Sequence, residues 1–469
     1  MQIKNINLNK IVEYIFYSFI FLLPWQTRWI YQYGQLNGGQ WEYGTLSLFG
    51  TEILLWAIFL LSLFLKNRRS LLRRDCDGAE SAGHKSPARE SLARRLPRGI
   101  YVSIILFIVY FLTSIFWSLN KTLTIYSIFH IIEALILIYL ILKIKLDYKK
   151  LFYAILASAF IQAVLGIYQF SNQFVSANKW LGIASQNPSE LGVSVVGTEW
   201  CRWLRAYGSF THPNILAGFF ALGFLVGLYL IINHKVENKK QLYGKLILVL
   251  TNLIIFLGLL LTFSRSAWIS LFIVMLVCCY SVFRKHNKIA KNNLKLFLFY
   301  CLLLTTLIVF VFKDPFLSRT SVVEQRLESK STTERLAYYK DSLELIKKNF
   351  ILGVGAGNYT LAVHDLLDSS RQPSWVYQPV HNVFVLFFVE MGAVGFLLFL
   401  YLLFKIVLII KNGGSTSKME VQPPREFIIY FLLLILFLGL FDHYLWTSYF
   451  GLMLLGIIIG ILVKKREND

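Results

Sequence analysis

Acidic side chains are scarce in this chain: 26 Asp and Glu stand against 47 Lys and Arg, and charged residues of either sign make up only 16% of its 469 positions. With 56% hydrophobic residues and a mean hydropathy of +0.57, it has too little polar surface to coat a soluble globule of this size. That excludes a water-soluble enzyme and points to a polytopic membrane protein. Cysteine is scarce too. Of five, Cys201 alone falls in an outer connection, Cys278, Cys279 and Cys301 lie in apolar runs, and Cys76 lies in a basic segment. No disulfide framework is therefore available to the outer loops, which must be held by packing. The strict apolar-polar alternation of a membrane barrel is also missing, and the continuous apolar runs read as helices.

The fold class expected is an all-α polytopic membrane protein of about twelve transmembrane helices. Candidate spans cover Ile11–Leu23, Leu46–Leu65, Ile100–Trp117, Leu123–Leu142, Leu151–Phe170, Ile215–Ile232, Leu246–Leu261, Ala267–Phe283, Leu296–Phe312, Asn382–Ile410, Phe427–Phe441 and Ser448–Val463. Each approaches the length a helix needs to cross a hydrocarbon core of roughly 30 Å. The most basic connections, among them NRRSLLRR, KIKLDYKK, RKHNKIAKNNLK and the KKR tail, all fall on one side by parity. The excess of basic residues there places both termini in the cytoplasm. The net charge of +21 is thus a topology signal and not a nucleic-acid footprint.

Five segments follow. Residues 1–65 hold two spans and an outer aromatic loop, and 66–99 form a basic cytoplasmic linker without apolar period, expected to be disordered. Residues 100–312 carry spans three to nine, 313–380 an extracytoplasmic segment, and 381–469 the last three spans with a basic tail. The first apolar run ends in PWQTRW without a small-residue cleavage site, so it reads as a span and not as a cleaved leader. The Trp and Tyr of the loop after it suit an interfacial belt.

Several polar residues sit where hydrocarbon is close. His130 and Glu133, three apart in the fourth span, share a helix face and suit either a functional role or a buried pair that holds the bundle. The outer segment ending in RAYGSFTHPN offers Arg205, with His212 reading as a turn residue before Pro213. In TFSRSAW, Arg265 lies between two apolar runs with almost no loop. A guanidinium there needs an anion or a distant carboxylate such as Glu390, and its planar fork suits phosphate oxygens. Downstream, STTE (Ser331–Glu334) is a capping-box signature. Leu336, Tyr339, Leu343, Ile346 and Phe350 then recur at helical spacing, giving an amphipathic helix on or over the membrane with Arg335 in its first turn. The helix dipole disfavours a cation there, so an anionic ligand is implied. GVGAGNY lacks the spacing of a dinucleotide fingerprint and reads as a flexible turn. His381 then stands at the outer mouth of the tenth span, where a neutral imidazole can take a proton from a hydroxyl. Together these residues suggest a site for a phosphate-linked substrate with a general base beside it.

The stretch His381–Phe396, HN followed by nine residues and GAVGF, resembles the histidine motif of the O-antigen ligase superfamily, which includes O-antigen polymerases and protein O-oligosaccharyltransferases. The SR of TFSRSAW and ERLAYY precede it in the family's order, so the resemblance covers roughly Arg202 to Phe396. It implies a membrane glycosyltransferase of the GT-C class with no cofactor, whose donor is a glycan on undecaprenyl diphosphate presented at the outer face of a bacterial cytoplasmic membrane. On that resemblance Arg265 and Arg335 hold the diphosphate, and His381 activates the acceptor hydroxyl. Arg205, Tyr339 and Asn382 are further substrate contacts. The first acceptor to consider is lipid A-core, as in a ligase. A glycan chain or a protein is the alternative, and a transporter of lipid-linked glycans is more distant. No metal is expected, because fixed guanidinium groups can stabilise the leaving diphosphate. Carboxylates at Asp314, Asp365 and Asp368 keep metal chemistry open.

Overall fold

The computed structural model describes residues 8–77, 98–320, 326–367, 372–412 and 425–464. Its helices, in chain order, are α1 (Leu8–Leu22), α2 (Gly50–Asp77), α3 (Arg98–Thr113), α4 (Lys121–Lys143), α5 (Tyr148–Asn172), α6 (Pro213–Ile232), α7 (Lys239–Leu261) and α8 (Arg265–Arg284). There follow α9 (Lys288–Val311), α10 (Lys313–Thr320), α11 (Arg326–Lys348), α12 (Tyr359–Leu366), α13 (Val383–Asn412), α14 (Arg425–Phe441), α15 (Tyr444–Thr447) and α16 (Tyr449–Val463). Each of the twelve apolar runs forms a helix over most of its length. Among the described residues, seven helices are long and apolar enough to cross a membrane (α4 to α9 and α13), and four shorter apolar ones accompany them. The second run departs from expectation at its start, because Leu46–Phe49 is a strand. At its other end α2 continues to Asp77, so the first part of the basic linker is helical. Residues 78–97 lie outside the described residues.

The bundle is organised around α6, PNILAGFFALGFLVGLYLII, which is apolar on every face and 89% buried over its core window. A helix without a polar stripe has to be enclosed, and α5, α7, α8, α9 and α14 pack around it. Small residues set the closest approaches: a Cβ at Gly223 would stand 2.7 Å from the Ala159 Cβ of α5, so only glycine allows that crossing. The turn entering α6 is fixed by His212, whose Nδ1 accepts from Asn214 N at 3.1 Å as the helix cap, with Pro213 in the first turn. This is the turn role suggested by the sequence.

Short strands occupy the ends of the bundle. β1 (Arg28–Gln32) pairs antiparallel with β4 (Leu46–Phe49), and between them β2 (Gln35–Leu36) and β3 (Gly39–Gln40) close over Asn37 and Gly38, both at positive φ, as such hairpin turns require. Trp29, Tyr31 and Tyr33 are exposed along this hairpin. β5 (Val195–Gly197) pairs with β6 (Arg202–Leu204).

Two expectations change in the segment before α13. The STTE box does not begin α11, which starts at Arg326, so Arg335 lies in the third turn and the dipole argument for it falls away. GVGAGNY is not a flexible turn. Val354 N donates to Val389 O at 3.0 Å, Gly355 N to Glu390 O at 2.9 Å, and Ala393 N to Phe350 O at 2.8 Å. These bonds stitch the loop to a break in α13 at Gly392, whose φ of 61° and ψ of −174° interrupt the helix. A Cβ on Gly392 would run into Ile351 O, and one on Gly353 into Glu390 O, so both chains must be glycine where they touch. The kink anchors the C-terminal end of α11 to the helix whose N-terminus carries His381.

Candidate active site

His381 precedes α13 by two residues, and Asn382 fixes that position. The Asn382 Oδ1 caps the helix, accepting from Phe384 N at 2.9 Å and Val385 N at 3.1 Å, while its Nδ2 donates to Leu440 O at 3.3 Å. Asn382 thus holds the histidine in place through the backbone. The His381 ring lines a cavity of about 1180 Å³ that also receives Arg205, Arg265, Arg335, Tyr338, Asp442 and His443. Its Nδ1 is buried without a hydrogen bond and stands 3.6 Å from Asp442 Oδ1. That separation is too long for a hydrogen bond but short for an ion pair. With Nδ1 turned to the carboxylate, Nε2 is the nitrogen available to the cavity.

Asp442 is the residue that sequence reasoning passed over. It ends α14 in the sequence FDHYLW, a short polar break between two apolar runs. Its Oδ1 accepts from His443 N at 2.8 Å and its Oδ2 from Asn214 Nδ2 at 2.9 Å. Asn214 Oδ1 in turn accepts from Arg205 Nη2 at 2.7 Å, and Arg205 Nε donates to Thr262 O at 2.6 Å. A buried polar chain therefore runs from the C-terminal end of α7 through Arg205 and Asn214 to Asp442 and the His381 imidazole. Arg205 suits the carbonyl-rich end of α7, where the dipole favours a cation. Two of its donors are engaged within the protein.

Burial would raise the Asp442 carboxyl, but the close approach of the His381 imidazole and the charges of His381, His443 and His212 hold it well below the ordinary carboxylate range. His443 lies beside it with ring centroids 5.1 Å from His381. Burial lowers His443 to about 4, and although Asp442 pulls the other way, the His381 and Arg335 charges lower it further. His212 falls to about 3, again by burial first and then by Arg205. The carboxylate is therefore charged and these two imidazoles neutral near pH 7.

The two remaining arginines arrive from opposite sides. Arg265 is the first residue of α8, reached through a turn in which Phe263 takes φ 50°. That left-handed conformation is costly for a bulky side chain, and the ring is fixed by Phe316 at 4.9 Å and Phe170 at 5.9 Å between centroids. At a helix N-terminus the guanidinium and the backbone N–H groups both favour an anion. Arg335 projects from α11 on the face that also carries Tyr338, Ser342 and Leu345, the last two buried. Tyr338 lines the cavity, with its ring 6.2 Å from His381; Tyr339, one residue on, packs with Ile346 on the outer apolar cluster. Leu336, Leu343 and Phe350 leave an exposed apolar strip along α11. Glu390, a candidate partner for Arg265, accepts from Trp446 Nε1 at 2.8 Å.

His381, Asp442 and His443 each present a ligand atom within 4.8 Å of the others, a donor set that a divalent ion can use. Two features work against an ion there. Both Asp442 oxygens already accept hydrogen bonds, and the Arg335 charge that lowers His443 would also repel a cation.

Residues 250–400 match the family model described as O-antigen ligase. No curated protein matches the chain. The matched segment runs from within α7 into α13 and contains Arg265, Arg335, Tyr338 and His381, but neither Arg205 nor Asp442. Residues 250–400, which supply Arg265, Arg335 and His381 to the cavity, are thus the part of the chain that is similar to the O-antigen ligase family.

Proposed function

We propose that this protein is a membrane glycosyltransferase that moves a glycan from an undecaprenyl-diphosphate carrier to an acceptor hydroxyl at the outer face of the cytoplasmic membrane, acting as an O-antigen ligase on lipid A-core. The observation that carries the reading is the meeting of a carboxylate-backed histidine with Arg265 and Arg335 in one cavity. In the reaction His381 Nε2 takes the acceptor hydroxyl proton as its oxygen attacks the anomeric carbon. The bond from that carbon to the diphosphate oxygen breaks, and the released charge is met by the two guanidinium groups. Asp442 stabilises the imidazolium that forms and holds Nδ1 protonated. The proton then leaves to solvent or to the departing diphosphate. Charge on the leaving group is covered without a metal, and the apolar helix faces around the cavity shelter the polyprenyl chain.

The donor half of this chemistry is common to ligases, polymerases and protein-glycosylating members, so the acceptor is fixed by experiment. Purified protein is given an undecaprenyl-diphosphate glycan, with lipid A-core and free glycan chains competing and EDTA present. Product on lipid A-core supports the ligase. Lengthened glycan makes it a polymerase, and donor movement across vesicles without product makes it a transporter.

A further inference from the structure

A second polar cluster reaches the same cavity only through His130, while its other members, Glu52 and Glu133, do not line the wall. Glu52 enters from the first turn of α2, and His130 and Glu133 come from one face of α4. All three are buried, at 1%, 6% and 0% exposure. His130 is ten residues past the Asn120 cap of α4, about 15 Å along the helix, and its ring is among the deepest groups that α4 gives to the cavity wall. His130 Nε2 stands 3.1 Å from Glu52 Oε1. Trp56 Nε1 donates to Glu133 Oε1 at 2.8 Å, while Glu133 Oε2 is buried with no hydrogen-bond partner. The rings of Tyr126 and Tyr449, with centroids 4.3 and 5.5 Å from His130, close the sides.

Two carboxylates this deep and this close cannot both stay charged beside one imidazole without a further positive charge. Each residue offers one ligand atom, and these lie within 4.8 Å of one another. A tetrahedral ion with bonds of about 2.0 Å holds its ligand atoms about 3.3 Å apart. The His130–Glu52 separation of 3.1 Å is close to that value, and all three ligand atoms already lie within 4.8 Å of one another. Trp56 orients that carboxylate from outside, as partners of metal ligands do.

We propose that Glu52, His130 and Glu133 bind one divalent transition-metal ion of the zinc or manganese class, with a fourth ligand supplied by cavity water. The ion neutralises the two carboxylates and ties α2 to α4 behind the cavity, a structural role separate from transfer at His381. Because the ligands are buried, brief chelation leaves it in place and prolonged chelation removes it.

The test is metal content of purified protein by mass spectrometry after incubation with Zn²⁺ or Mn²⁺ and desalting. About one ion per chain is expected for wild type and for Asp442→Asn, and less than a tenth of that for Glu133→Gln. No ion above background in wild type overturns the proposal, as does an ion that survives Glu133→Gln and is lost in Asp442→Asn. Should Glu133→Gln fail to fold, X-ray absorption on zinc-loaded wild type decides instead. One imidazole in the ligand shell is expected, and two imidazoles would assign the ion to His381 and His443 and refute the site.

Discussion

Replacing Asp442 with asparagine removes one negative charge from beside His381 while keeping the side-chain shape and an oxygen for Asn214 or His443 N to bond. At 3.6 Å, a carboxylate and an imidazolium attract by roughly 4–5 kcal/mol at an effective dielectric constant of about 20. The cavity admits water, so about half of that ceiling is realised, and only when His381 carries the proton. The expected consequence is a fall in kcat of roughly 30- to 70-fold, with little change in donor KM, since Asp442 faces the histidine and not the arginines. The assay is transfer of labelled glycan from undecaprenyl-diphosphate donor to lipid A-core by purified protein, across a range of pH. Asp442→Glu recovers part of the rate, because it restores a negative charge beside the imidazole. Transfer by Asp442→Asn within about threefold of wild type would refute the reasoning. So would a loss confined to donor KM.

Arg265→Ala and Arg335→Ala are each expected to lower kcat/KM about 10²-fold or more through lost contact with the diphosphate, with partial recovery by lysine, which keeps the charge but not the fork; donor titration and steady-state rates check this. Gly392→Ala forces a side chain into Ile351 O at a φ of 61° and should destabilise the protein by about 2–4 kcal/mol, visible as a lower thermal midpoint in detergent. His443, lowered to about 4, and His212, lowered to about 3, bind fewer protons folded than unfolded below the ordinary histidine value of 6.5. Stability therefore falls as pH drops from 6.5 towards 4, by roughly 2–6 °C in thermal midpoint, and His443→Gln should flatten the slope.

The helices and the outer candidates were legible because apolar runs are long and a guanidinium or imidazole at the end of one stands out. Arg265 and His381 each stand at such a boundary, and the fold brings them to one cavity with Arg335, which lies within α11. Asp442 was less visible since FDHYLW looks like a spacer between spans. Its meaning depends on Asn214, 228 residues earlier in the chain, which no local pattern reveals. The same limit applies to His130, whose partner is Glu52 of another helix and not Glu133 three residues on. Glycine misled in the opposite direction. GVGAGNY suggests freedom, yet its glycines are there for close contact with the Gly392 break, a pairing visible only when both chains are seen together. The capping box failed because α11 begins upstream at Arg326, so local cap chemistry was overridden by continued helix. Tyr338 and Tyr339 differ by one residue, about 100° around the helix, and that rotation decides which of them reaches the cavity.

The central claim is that His381 performs proton transfer beside a donor site built by arginines. Its most direct test is single-turnover transfer by His381→Ala with donor binding measured on the same preparation. The account predicts donor affinity within about threefold of wild type and glycan transfer reduced by at least about 10³-fold. Transfer at an undiminished rate by a variant that still binds donor would contradict it.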